Sequence, residues 1–72
     1  MDDRARIFVE QLFYRARQAG RNIETYLDAT TDRLVITVSP AAVPMPVYVS
    51  AYDIENEDLE VLVQQTAERL GL

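Results

Sequence analysis

Two segments with the apolar spacing of an amphipathic helix enclose three segments with the alternation of β-strands, and this order constrains the fold most. The first helix is predicted from Asp3 to Ala19. Gly20 should end it, because glycine tolerates the positive φ of a helix C-cap. Seven of its residues share one arc and are predicted to face the core: Ala5, Phe8, Val9, Leu12, Phe13, Ala16 and Ala19.

Three strand-like segments follow the first helix. The first strand is predicted at Asn22–Asp28, and the polar stretch 28–32 has the length of a hairpin turn. Arg33–Ser39 is the second strand and Val47–Tyr52 the third. Segment 40–46 contains three prolines and, because proline cannot donate a ladder hydrogen bond, it should be a stiff, partly extended loop.

The second helix is predicted to begin within Asp53–Asn56, capped by either of these two residues, and to end near Leu70 before Gly71. Its apolar arc comprises Leu59, Leu62, Val63, Thr66, Ala67 and Leu70. The pattern predicts an α+β protein, a single α-β-β-β-α domain over residues 1–72. A three-stranded antiparallel sheet with both helices packed on one face would bury both arcs.

In order and length this pattern resembles the double-stranded RNA-binding domain over essentially the whole chain. That family's RNA contacts include a lysine-rich start to the second helix. Here that place reads Asp53-Ile54-Glu55-Asn56-Glu57-Asp58-Leu59-Glu60, which reverses the sign of the charge. The resemblance therefore implies a topology and carries over no functional residues.

Several residue types that enzymes use are missing from the chain. It has no His, no Cys and no Lys, which excludes a Ser-His-Asp site, a thiolate nucleophile and a Schiff base. A carboxylate pair, as in glycoside hydrolysis, is the remaining arrangement, but we do not expect 72 residues to enclose both that pair and a substrate cleft. We therefore predict that the protein is not an enzyme and needs no cofactor or metal.

The sequence predicts neither a membrane span nor an export signal. No apolar run approaches the ~18 residues of a membrane span, and the N-terminus is acidic where a signal peptide would be basic. A cytoplasmic protein without a membrane partner is expected.

The net charge of −5 belongs to the second half of the chain. Five carboxylates cluster at the predicted start of the second helix: Asp53, Glu55, Glu57, Asp58 and Glu60. The favoured interpretation is stabilisation by the helix dipole, worth ~0.3–1 kcal/mol each. The alternatives are contact with a basic surface and binding of Mg²⁺ or Ca²⁺, although an EF-hand loop would need Gly at Asp58 and Glu at Gln64.

The outward side of the first helix is the first candidate contact surface. Ile7 and Tyr14 lie one heptad apart with arginines on both flanks, and Tyr and Arg are enriched at protein interfaces. The candidate partner-binding residues are Ile7, Gln11, Tyr14, Arg15, Arg17 and Gln18. The alternatives are an ordinary solvated face and a phosphate-binding one that uses Arg4, Arg6, Arg15, Arg17 and Arg21.

The sheet face away from the helices is the second candidate surface. It is predicted to present Tyr26, Val35, Thr37, Tyr48, Ser50 and Tyr52. The three tyrosines are suited to stack on bases or fill pockets of a partner. The favoured interpretation is that such cross-strand pairs stabilise the sheet, by ~0.2–1 kcal/mol each.

These features predict a non-enzymatic protein-binding module, a small acidic regulator or inhibitor that acts through contacts with another protein. A homodimer through helix one is a second form of that hypothesis. The first alternative is a nucleic-acid-binding domain that uses the helix-one arginines and the tyrosines, which the negative charge disfavours. The second is an acidic mimic that blocks a nucleic-acid-binding protein.

Overall fold

Three helices and three strands follow one another in an α-β-β-β-α-α order. The computed structural model describes residues 3–40 and 46–72. The elements are α1 (Asp3–Gln18), β1 (Asn22–Asp28), β2 (Arg33–Ser39), β3 (Val47–Ser50), α2 (Ala51–Asn56) and α3 (Leu59–Arg69). The predicted α+β class and antiparallel three-stranded sheet are confirmed. Most of the predicted proline loop, residues 41–45, lies outside the described residues.

The sheet has the order β1-β2-β3, and both pairings are antiparallel. β1 pairs with β2 along all seven residues, from Asn22 opposite Ser39 to Asp28 opposite Arg33. The predicted bounds of these two strands are confirmed. In the turn between them, Asp28 Oδ1 accepts a hydrogen bond from the Thr30 N–H at 3.0 Å, and Asp32 adopts a left-handed φ of 53°.

One apolar cluster joins the sheet to all three helices. Its strand members, such as Ile36 of β2, pack with Phe8 and Leu12 of α1, Ile54 of α2 and Leu62 of α3. Because every helix contributes to this cluster, the helices share one face of the sheet, as predicted. None of the helices in the described ranges is long and apolar enough to cross a membrane.

The buried face of α1 is narrower than its apolar arc predicts. Phe8, Leu12 and Ala16 are fully buried, but Phe13 is 40% exposed and Ala19 is exposed beyond the helix end. Placing Phe13 and Ala19 in the core was therefore wrong. The physical reason is that α1 lies over β1, an edge strand, so the side of α1 that carries Phe13 projects past the sheet.

The predicted second helix is two helices, and it begins earlier than predicted. Ser50 Oγ accepts a hydrogen bond from the Asp53 N–H at 3.1 Å, which caps α2 and ends β3 at Ser50. The prediction of strand at 51–52 and of a cap at Asp53 or Asn56 was therefore wrong. The chain is extended at residues 57–58, and Asp58 caps α3 by accepting from the Val61 N–H at 3.2 Å. The predicted end near Leu70 is confirmed.

Candidate protein-binding surfaces

An open groove of about 790 Å³ runs between α1 and α3 on the outer side of the helical layer. Ile7 on one wall is 43% exposed and Val61 on the other is 49% exposed, with half-buried Leu59 also lining the groove. The polar lining consists of Gln11, Arg15, Glu60, Gln64, Gln65 and Glu68. The groove therefore combines exposed aliphatic side chains with groups of both charges.

Two arginines of α1 fasten it to the neighbouring helices and thereby hold the walls of this groove. Arg4 Nε donates to the Ile54 carbonyl at 2.8 Å, and its Nη2 donates to the Glu57 carbonyl at 2.6 Å. Arg15 Nη1 donates to Gln64 Oε1 at 2.6 Å. Because Ile7 lies between these two anchors in α1, its position relative to α3 is set from both sides.

The six candidate residues of helix one do not all lie at one site. Ile7, Gln11 and Arg15 line the groove, which also includes α3 residues that the helix-one hypothesis did not contain. Gln18 lines a smaller hollow of about 280 Å³ with Arg15 and the C-terminal Leu72, and its Nε2 donates to Tyr14 Oη at 3.1 Å. Arg17 is exposed and lines neither hollow.

The five carboxylates of the acidic run are distributed over two helices and the turn between them. Asp53 and Glu60 lie in the first turns of α2 and α3, and Asp58 is the α3 N-cap. Glu55 lies in α2, and Glu57 is its C-cap residue, where the dipole no longer favours a negative charge. The expectation of one acidic helix start is thus corrected to two starts with a break between them. Within residues 3–40 and 46–72, no three carboxylates converge to hold a metal ion.

The sheet face opposite the helices carries a row of three side chains. Val35 of β2 is paired with Tyr26 of β1 on one side and Tyr48 of β3 on the other. Val35 is only 2% exposed although it faces away from the core, and the guanidinium of Arg33 lies 4.2 Å from the Tyr48 ring centroid. The pairing therefore supports a stabilising role for the row, by the cross-strand contacts expected for aromatic and β-branched residues.

The other predicted members of this face differ in position. Thr37 is exposed on β2, whereas Ser50 is engaged as the α2 cap. Tyr52 does not lie on the sheet, because it belongs to α2, where it is 72% exposed. The tyrosine surface thus contains two tyrosines of the sheet, Tyr26 and Tyr48.

The carboxyl of Asp28, at the end of β1, has a lowered pKa. The hydrogen bond from the Thr31 side chain lowers the pKa of the Asp28 carboxyl below its ordinary value of 3.8. Desolvation, the next largest effect, raises this pKa, whereas the backbone N–H groups of Thr30 and Thr31 and the charge of Arg33 lower it further. The shift arises from the hairpin turn and is not associated with the groove.

Sequence reasoning missed three exposed apolar residues. Val61 lies outside the apolar arc of its helix, and an apolar residue at such a position was the available signal. Phe13 was assigned to the core, and Leu27, at 50% exposure, was treated only as part of a strand. All three are exposed because the elements that carry them lie at the margins of the core.

No protein-family model, no curated protein and no solved structure matches this chain.

Proposed function

We propose that this protein is a non-enzymatic protein-binding module, a small acidic regulator or inhibitor, whose α1–α3 groove receives a basic amphipathic helix of another protein. The observation that carries the proposal is the exposure of Ile7 and Val61, one on each helix that lines the groove. An amphipathic helix places apolar residues at i, i+3 and i+4 on one side, which suits docking between two parallel walls. Burial of such aliphatic groups contributes roughly 25 cal/mol per Å².

The charge of the groove supports a basic occupant. Glu60 and Glu68 lie on the α3 wall, and the chain carries a net charge of −5. Arg15 is the positive group of the lining, and its Nη1 already donates to Gln64. Lysines or arginines that flank the apolar stripe of a ligand helix would therefore meet carboxylates, which favours fast association and the correct orientation.

The contacts of the arginines favour a protein over a nucleic acid as the partner. Arg4 donates to two backbone carbonyls, and Arg6 lies 3.5 Å from the Asp3 carboxylate. Arg33 stacks on Tyr48, and Arg69 donates to the Tyr48 carbonyl. Phosphate binding needs cations that are free to replace counterions, and these four are engaged with the protein itself.

Selection of a displayed library of random peptides of about 20 residues against the purified protein tests the proposal. We expect the enriched peptides to combine apolar residues at helical spacing with basic flanks. The double variant Ile7→Ser/Val61→Ser should bind these peptides at least about ten-fold more weakly, the equivalent of 1.4 kcal/mol. Tyr52→Ser is the matched control, since Tyr52 is more exposed than either residue and does not line the groove.

Enriched peptides that bind the double variant as tightly as the unaltered protein would refute this site. A titration with duplex RNA and with single-stranded DNA, each at two salt concentrations, tests whether the partner is a nucleic acid instead. Salt-dependent binding near ~50 mM salt, lost when the helix-one arginines are replaced, would favour the nucleic-acid alternative instead.

A further inference from the structure

We propose that two copies of this chain associate edge to edge through β1 and form one continuous six-stranded antiparallel sheet. This surface lies on the opposite side of α1 from the groove, so the inference does not depend on the proposed function. It is based on the different protection of the two sheet edges, on the charges along β1 and on the exposed apolar residues beside it.

The two edges of the sheet are protected to different degrees. β3 is four residues long, follows Pro46 directly, and has its Tyr48 carbonyl bonded by Arg69 Nη1 at 3.3 Å. Short length, proline and covering side chains are the devices by which proteins block an exposed edge. β1 is seven residues long, lacks proline and lysine, and in the described parts of the chain pairs only with β2, without a bulge. β1 is therefore the edge available for another strand.

The charges along β1 select one symmetrical register. In a two-fold antiparallel pair centred on Glu24, this carboxylate would face its own copy. In a pair centred on Tyr26, Glu24 would face Asp28. A pair centred on Thr25 avoids both, because Glu24 then faces Tyr26 and Asn22 faces Asp28. Since like charges directly opposite one another are destabilising, the Thr25-centred register is favoured.

The same register covers the apolar side chains on the helical side of the sheet. Ile23 would face Leu27 of the second copy, and Leu27 is 50% exposed in the single chain. Phe13, 40% exposed, lies on the side of α1 away from Arg4 and Arg15, which contact α2 and α3. The α1 helices of the two copies would therefore approach each other over the joined strands and shield Phe13.

Disulfide trapping tests this register directly, because the chain contains no cysteine of its own. Residues directly opposite in an antiparallel pair have Cα atoms about 4.5–5.5 Å apart, within disulfide range. Thr25→Cys should therefore form a covalent dimer under mild oxidation. Gln11→Cys, on the groove side of α1, should form little covalent dimer at the same concentration.

Sedimentation equilibrium of the unaltered chain provides the independent measurement. We expect a concentration-dependent dimer whose dissociation constant rises at least about ten-fold in Leu27→Lys, whereas the matched change Val61→Lys leaves it unchanged. Circular dichroism verifies that both variants fold. Ile7→Ser/Val61→Ser should still dimerise, and Leu27→Lys should still bind the selected peptides, so failure of one proposal is separable from failure of the other.

Three results would overturn the inference. The first is an unaltered chain that stays monomeric up to about 1 mM. The second is trapping of Gln11→Cys in preference to Thr25→Cys, and the third is a dimer lost in Ile7→Ser but retained in Leu27→Lys. The last two would instead place the contact on the groove side of helix one.

Discussion

Arg4 Nε donates a hydrogen bond of 2.8 Å to the carbonyl oxygen of Ile54, which lies 50 residues away in the sequence. This bond joins the first turn of α1 to the end of α2. The last carbonyls of a helix have no donor within the helix itself and need an external partner. Arg4 supplies that partner at both the Ile54 and Glu57 carbonyls. Its positive charge also offsets the unfavourable position of Glu57 at the end of a helix dipole.

Replacing this arginine should therefore destabilise the fold. We expect Arg4→Met to lower the free energy of unfolding by about 1–3 kcal/mol, since it leaves two carbonyls without a charged donor. Urea unfolding monitored by circular dichroism measures the change. Arg6→Met is the matched control and should change stability by less than about 1 kcal/mol, because Arg6 makes an exposed contact with Asp3 at 3.5 Å. Equal losses in the two variants would contradict the capping role.

The break between α2 and α3 predicts a measurable N-cap at Asp58. Asp58→Ala removes the acceptor of the Val61 N–H and should cost about 1 kcal/mol, whereas Asp58→Ser keeps an acceptor and should be close to neutral. Glu57→Ala controls for loss of charge in the turn, because the side chain of Glu57 is exposed. Thermal and urea unfolding of the three variants distinguish a cap from a general effect of acidity.

The left-handed φ of 53° at Asp32 makes a prediction for the hairpin turn. Asp32→Val should destabilise the protein by about 1–2 kcal/mol, because a β-branched residue is strained in this conformation. Asp32→Gly should be neutral or stabilising, since glycine adopts positive φ without steric cost. If the free energy of unfolding of Asp32→Val equals or exceeds that of Asp32→Gly, the turn has another conformation.

The lowered pKa of Asp28 predicts a pH dependence of stability. Because the folded-state pKa lies below the unfolded value of about 3.9, the contribution of Asp28 is fully present above about pH 5. It is lost as the pH falls through the lowered pKa. Asp28→Asn retains a turn acceptor but does not titrate. We therefore expect the stability difference between the protein and this variant to decrease between about pH 5 and pH 2 in urea unfolding, and a constant difference would contradict the shift.

Thr31→Val tests the cause of that shift. The Thr31 side chain has the largest effect on the pKa of Asp28, and valine keeps the shape of threonine without its hydroxyl. NMR titration of the Asp28 carboxyl should show its pKa moving upward towards 3.8 in this variant. An unchanged titration would assign the effect to the backbone and to Arg33 instead.

Local patterns were sufficient for β1, β2 and α1. The bounds of both strands follow from alternation between turn residues, and Gly20 ends the α1 region with a φ of 72°. The second helix could not be predicted in the same way, because Ser50, Asp53, Asn56 and Asp58 are all residue types that cap helices. Which of them do so depends on where β3 leaves the sheet, opposite Arg33, and on the support that Arg4 gives to the end of α2.

Only the α1 wall of the candidate groove could be predicted from the sequence. Ile7, Gln11 and Arg15 share one side of a helix, which the helical period alone reveals. Their proximity to Val61 and Glu60 exists only because α1 and α3 pack side by side on the sheet. No period within either helix encodes that contact.

The exposed apolar side of helix one is therefore one wall of a groove. The sequence by itself determined that wall, the class of fold and the order of its elements up to the start of the second helical region. These properties depend on the spacing of apolar and polar residues close together in the chain, and that spacing is sufficient to define a helix face or a strand. The tertiary structure decided the second wall, the break between α2 and α3, and the exposure of Phe13 and Leu27. Each of these depends on which surfaces the packed helices and the sheet leave uncovered, and that is set by contacts between residues distant in the chain.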